Sequence, residues 1–273
     1  IREVDASCQV VRCFVDENIT HVAGKVSPID DIETINLELI LADLEQVEKR
    51  IQRVQKQVKS RDKNAAAELE ALEIVQALLE DEKPARLAEL NEDQAAIVKH
   101  FQLLTMKPML YVANVGEDEV ADADSNENVR LVREFAAKEG AEVIVICARI
   151  EEEIAELEPE ERQEFLVDLG IEESGLDQLI HAAYSTLGLA TYFTAGEKEV
   201  RAWTFKKGMK APQCAGVIHS DFERGFIRAE VVAYEDLAAA GNMATVKEQG
   251  RYRSEGKEYV FQDGDVVTFR FNV

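Results

Sequence analysis

The sequence predicts an α/β protein: a parallel-sheet domain interrupted by an antiparallel helical hairpin and closed by a small β-rich module. Three observations predict it. Short, β-branched apolar runs alternate with helical segments, as strands of a parallel sheet do. A heptad-spaced apolar stripe fills the stretch between the first two runs. The charge balance also changes abruptly near residue 190.

Residues 9–15 (QVVRCFV) suit a buried strand. Pro28 after Ser27, with Asp30, Asp31 and Glu33 following, marks a helix start. From there Leu37, Ile40, Leu44, Val47, Ile51, Val54 and Val58 step by three and four, a coiled-coil seam. The run 60–64 breaks it, and Leu69, Leu72, Val75 and Leu79 resume a stripe before Pro84. A seam whose partner is so near in sequence predicts an antiparallel hairpin rather than an open dimer. Asn91 with Gln94 forms a capping-box signal. Residues 109–115 (MLYVANV) and 142–147 (EVIVIC) are further buried strands, separated by a helix face of Val129, Val132, Phe135 and Ala136. Leu176, Leu179, Ile180, Ala183, Tyr184 and Leu187 predict a helix that stops at Gly188. Beyond it lie short strands at 200–205, 226–232, 259–261 and 266–271, with a helix between the first two and a last hairpin turning at Asp263-Gly264-Asp265.

The net charge of −23 argues against indiscriminate binding to nucleic acid. From Thr191 onward 12 basic residues balance 12 acidic ones, so the excess belongs to the first 190 residues, with 19 basic against 42 acidic. No apolar run approaches the roughly 18–20 residues needed to cross a bilayer. Cys8, Cys13, Cys147 and Cys214 show no metal-ligand spacing and read as small buried hydrophobes in a reducing compartment.

In order and motifs the chain resembles the YchF (Obg-like) ATPase family. The resemblance rests on 191–195 (TYFTA), 199–204 (EVRAWT), 218–221 (IHSD), 225–229 (GFIRA) and 263–267 (DGDVV), and on Asn114-Val115-Gly116-Glu117 directly after a strand. It implies the later part of a G domain (1–30 and 106–188), a coiled-coil insertion (31–105) and a C-terminal TGS domain of β-grasp fold (189–273). In GTPases the loop matching 114–117 reads Asn-Lys-x-Asp, and its Asp accepts from the guanine edge. Here Val115 and Glu117 replace Lys and Asp, and a buried group left unpaired costs roughly 1–3 kcal/mol. The resemblance thus implies ATP, with GTP second, read by Asn114, Val115 and Glu117, with Cys147 and Ala148 as the last base-binding loop. The 273 residues contain neither GxxxxGK[ST] nor the switch-II DxxG, and Gly24-Lys25-Val26 lacks the upstream Gly and has Val where Ser/Thr should follow the Lys. Residues 1–6, which open without Met, resemble the segment just after that switch. Phosphate and Mg²⁺ binding are therefore expected upstream, no catalytic residue is assigned here, and the chain alone is expected to be inactive.

Lys49, Arg50, Arg53, Lys56, Lys59, Arg61 and Lys63 fall within 15 positions against Asp62 alone, a candidate RNA-facing patch. Lys206, Lys207 and Arg224 are a second candidate. Ribosome binding (large subunit or intact), a cytoplasmic location and a monomeric state are implied by the resemblance. The rival reading is a non-enzymatic adaptor, a coiled coil plus β-grasp that binds RNA or the ribosome. His219 and Asp221, two apart, read as capping rather than a catalytic dyad; Glu151, Glu152 and Glu153 read as a solvated helix face; Trp203 reads as packing.

Overall fold

The computed structural model describes residues 2–21, 24–59, 63–196 and 199–272, with Lys63 described by its backbone alone. Arg61 and the Lys63 side chain, both in the basic run, lie outside the described residues. The chain divides into two compact units, Ile1–Thr186 and Leu187–Val273.

The first unit contains β1 (Ser7–Arg12), α1 (Pro28–Val58), α2 (Lys63–Glu80), α3 (Glu92–Lys99), β2 (Met109–Asn114), α4 (Glu127–Glu139), β3 (Glu142–Ile146), α5 (Ala148–Ala155), α6 (Pro159–Asp168) and α7 (Gly175–Thr186). β1, β2 and β3 form a parallel sheet in that order, with Arg12 opposite Asn114 and Asn114 opposite Ile146. Five of the six residues of β2 are buried, because helices cover both faces of the central strand. One face packs Val11, Tyr111 and Ala113 against Val129, Val132 and Ala136 of α4 and Ile32 of α1. On the other, Leu110, Val112 and Ile144 meet Ala182 of α7.

α1 and α2 share a core of Ile40, Val47, Ile51, Val54, Leu72, Val75 and Leu79. Arg50 grips Glu68 with two nitrogens across this pair. Leu37 departs from the expected seam and is 39% exposed. With Arg50 opposite Glu68, position 37 falls opposite residues past the end of α2, so nothing there covers it. Asn91 and Gln94 make both bonds of the expected capping box. The run expected at 9–15 leaves the sheet after Arg12, which carries residues 13–15 out of the ladder. Cys8 is exposed rather than buried, since β1 is a sheet edge and residue 8 alternates away from the Val11 face.

The second unit contains β4 (Leu189–Ala195), β5 (Val200–Lys206), α8 (Ala211–Ile218), α9 (Ser220–Arg224), β6 (Phe226–Ala233), α10 (Tyr234–Ala240), α11 (Met243–Glu248), β7 (Arg253–Glu255) and β8 (Asp265–Phe271). Its sheet runs β5-β4-β8-β6-β7, with β4 and β8 parallel and the other neighbours antiparallel. Residues 259–261 are not the expected strand; they offer a single bridge, Val260 to Lys210. The turn at Asp263-Gly264-Asp265 is therefore not a hairpin. It delivers β8 to the middle of the sheet, with Gly264 at φ +80° and its N–H donating to the Thr191 carbonyl.

On one sheet face Glu230, with its side chain 12% exposed, accepts from Arg270, Arg228 and Tyr252. The Arg270 hydrogen bond above all, then those of Arg228 and Tyr252, lower its pKa from 4.5 to about 2, against opposing desolvation. A carboxyl depressed on folding adds stability that is present above its unfolded pKa and lost as pH falls through the folded one. Acid titration of the unit is expected to show stability lost between about pH 4.5 and pH 2, and Glu230→Gln should flatten that segment. An unchanged profile in the variant would contradict this assignment.

Candidate functional site

In a parallel sheet all strands end on one side, and the crevice beyond their carboxyl ends is where such folds hold ligands. Here an open cleft of about 930 Å³ lies at that edge, walled by residues after β1 (Cys13–Asp16, Ile19), at and after the end of β2 (Asn114–Glu119) and after β3 (Cys147–Arg149), and by the start of α4. All five residues expected at the base site, Asn114, Val115, Glu117, Cys147 and Ala148, line this one cleft.

The loops are fastened to one another through main-chain groups. Asn114 Oδ1 accepts from the Ala148 N–H at 3.0 Å, tying the end of β2 to the start of α5. The Cys13 N–H donates to the Asn114 carbonyl at 2.8 Å, and the Val115 N–H donates to that of Ile146 at 2.9 Å. Val115 is 2% exposed and packs in the core beneath the cleft, so its side chain cannot cover a ring as a lysine stem would. Glu117 sits on the rim, where its carboxylate meets Arg149 at 2.7 Å. Cys13 and Cys147 are both buried in the floor. Burial first, and then the Glu119 carboxylate, push the Cys13 thiol up to about 12, so it stays protonated at neutral pH.

Several groups that shape the cleft were not legible. Glu119 does what the expectation gave to no residue: Oε2 accepts from the Gly116 N–H at 2.9 Å and Oε1 from Asn126 Nδ2 at 2.9 Å. Asn126 also caps α4 by accepting from Asn128 and Val129, while both asparagines donate to the Cys13 carbonyl. An Asn ahead of a helix face is a cap signal that could have found Asn126. No local pattern marks Arg12, whose bonds reach ahead to the residues of the next loop.

The basic run divides. Lys49 is paired with Glu45, and Arg50 is committed to Glu68 and lies 5.7 Å from the Phe101 ring centre. Arg50 is thus a strut of the helical pair, not a free cation. Arg53, Lys56 and Lys59 are exposed and have no ion-pair partner among the described residues. Lys206 and Lys207 are also exposed, and Arg224 pairs with Asp221. His219 accepts from the Asp221 N–H through Nδ1 and caps α9. Trp203 donates to Thr194 Oγ1 at 2.9 Å with Arg201 over its ring. Glu151 is not merely solvated: its carboxylate accepts from the Gly175 and Leu176 N–H groups at the start of α7.

Parallel sheet, covering helices and an end-of-strand cleft define the class, an α/β protein with a ligand cleft at the carboxyl ends of its strands. The comparisons narrow it. Residues 189–272 match the family model YchF-GTPase_C, described as "Protein of unknown function (DUF933)". The whole chain is 71% identical to the "Ribosome-binding ATPase YchF" of Bacillus subtilis (strain 168), covering 75% of that protein. It is 54% identical to the protein of the same name from Haemophilus influenzae, covering 74% of it. The structure of the Schizosaccharomyces pombe YchF GTPase superposes with a TM-score of 0.86 at 36% identity, over 98% of this chain and 73% of that one. The chain belongs to the YchF family.

Proposed function

We propose that this chain supplies the base-binding and ribosome-engaging parts of a nucleotide hydrolase that uses ATP in preference to GTP. The observation that carries the reading is the single cleft in which Asn114 locks the 114–117 loop to the Cys147-Ala148 loop. The relatives' name, ribosome-binding ATPase, supports it. A rim Glu117 already engaged by Arg149 is poorly placed to accept from a guanine edge. Adenine asks instead for an acceptor to its exocyclic amine, a role that in this reading falls to main-chain groups near Val115. A bare adaptor would leave this fastened cleft without a use.

The phosphates and catalysis fall, in this reading, to residues outside these 273. Mg²⁺, which the resemblance implies, finds no cluster of three or more His, Cys, Asp or Glu side chains to hold it among the described residues. The α1–α2 pair serves as the coiled-coil insertion (31–105), and residues 189–273 as the TGS β-grasp domain of a cytoplasmic monomer. No described helix is long and apolar enough to cross a membrane. A thermal-shift comparison of ATP and GTP on the intact protein tests the nucleotide half.

For the ribosome half, a protein this acidic needs a local basic surface. Arg53 and Lys56 on α1 and Lys59 at its end are the cations of this run left without an ion pair among the described residues. Replacing these three with Gln should weaken co-sedimentation with ribosomes. The log–log salt slope should fall by about 0.7–0.9 for every phosphate that the variant no longer neutralises. Stability should hardly change, since exposed charges contribute little. Arg50 is left intact, because removing it would strand Glu68. Binding equal to the parent at every salt concentration would move the interface to the Lys206–Lys207 surface.

A further inference from the structure

The cleft has one wall that belongs to neither base-binding loop, the segment 14–19 that follows β1. Within it Asp16 and Asn18 make a small turn of their own, Asp16 Oδ1 accepting from the Asn18 N–H at 2.8 Å and from its side-chain amide at 3.2 Å. One further side chain fastens that turn to the end of β1. Arg12 Nε donates to the Phe14 carbonyl at 3.2 Å, one terminal nitrogen to the Asp16 carbonyl at 3.1 Å, and the other to the Ile19 carbonyl at 3.0 Å. The guanidinium also lies 4.7 Å from the Phe14 ring centre. All three of its nitrogens are thus spent on the main chain of a single loop.

We propose that Arg12 is a positioning residue for the nucleotide base, holding the 14–19 wall, and Phe14 with it, against the opposite face of the cleft. The proposal rests on the base-cleft reading above. Three features support it. First, Arg12 stands opposite Asn114 in the sheet register, so the residue that sets one wall is level with the residue that locks the other two. Second, the guanidinium fork matches several carbonyls at once, and a charged donor bonds more strongly than a neutral one. Third, the remaining end of the loop is fixed from across the cleft, where Asn126 and Asn128 hold the Cys13 carbonyl. Without Arg12 the segment would keep its Asp16–Asn18 turn and its anchors at Cys13 and, beyond it, at His21 with Asp31, but the Phe14, Asp16 and Ile19 carbonyls would lose their ties to the end of β1. The base would then have to order that wall on binding, which lowers affinity by the cost of the ordering.

Tripolyphosphate carries no base to meet this wall, and that supplies the test. In the intact protein, Kd is measured for ATP and for inorganic tripolyphosphate, in the parent and in Arg12→Gln, Arg12→Lys and Asn114→Ala. The expected result is that Arg12→Gln weakens ATP about tenfold and tripolyphosphate less than twofold. Arg12→Lys, which keeps the charge and can reach one or two of the carbonyls, should recover part of the loss. Equal weakening of both ligands by Arg12→Gln would mean a general loss of structure and would overturn the proposal, as would unchanged ATP binding while Asn114→Ala weakens it. Asn114→Ala without effect on ATP would instead refute the base-cleft reading, and this proposal with it.

Discussion

Replacing Asp43 with alanine is expected to destabilise the first unit by about 3–5 kcal/mol, the range for stripping one partner from a buried charged network. Asp43 is fully buried on α1. One carboxylate oxygen accepts from the Leu104 N–H at 2.9 Å and from Arg2 at 3.1 Å; the other accepts from the Thr105 N–H at 2.7 Å and the Thr105 hydroxyl at 2.9 Å. The same hydroxyl accepts from the Ala85 N–H at 3.0 Å. One side chain therefore satisfies the turn that returns the chain from the helical pair to β2. Alanine leaves two backbone donors buried without acceptors, each costing about 1–3 kcal/mol. Asparagine keeps one acceptor and points an amide at the other donors, so an intermediate loss is expected. Urea unfolding of the intact protein reads this directly, and a loss below about 1 kcal/mol for the alanine variant would contradict it.

Gly175→Ala is expected to cost about 2–3 kcal/mol, at the upper end of ordinary overpacking. A methyl group there would lie 2.4 Å from Ile146 Cγ2, 2.9 Å from Ile146 Cβ and 2.9 Å from a Glu151 carboxylate oxygen. Ile146 is β-branched at the end of β3 and cannot swing away without leaving its rotamer. Glu151 is the acceptor for the first N–H groups of α7, so pushing it aside also uncaps that helix. The helix would move off β3, close to the loop that carries Cys147 and Ala148. Circular dichroism melting checks the loss, and a melting temperature within a degree of the parent would refute the close approach.

The parallel sheet was legible because its strands are short and bounded by clear helix signals. β4 was not legible as a strand, although its TYFTA run is one of the family motifs. The reason is that the family motifs of the second unit are largely fold determinants. Tyr192 is fully buried and donates to the Cys214 carbonyl, Asp263 accepts from the Thr191 N–H, and Ala229 packs without exposure in the same core as Tyr192. Such motifs identify relatives without marking a site. The cleft was half legible: the residues that follow strand ends can be read off strand positions. The clamps across it, Arg12, Glu119, Asn126 and Asn128, act through backbone atoms, and a sequence does not display which carbonyl a side chain will meet. The division of the basic run was hidden for the same reason, since the partner of Arg50 lies on another helix.

The relatives' names do not agree on the nucleotide, ATPase for the bacterial proteins and GTPase for that of Schizosaccharomyces pombe. In the proposed reading the 114–117 loop decides between them, and titration of the intact protein with ATP and GTP, with each displacing the other, is the most direct measurement. A misplaced carboxylate against the guanine edge is worth roughly 1–3 kcal/mol, so ATP is expected to bind about tenfold tighter, the equivalent of about 1.4 kcal/mol. Substituting Glu117→Asp should carry preference towards GTP, with Val115 left intact because a lysine there would bury a charge in the core. GTP binding as tight as ATP, or tighter, in the unsubstituted protein would contradict the account.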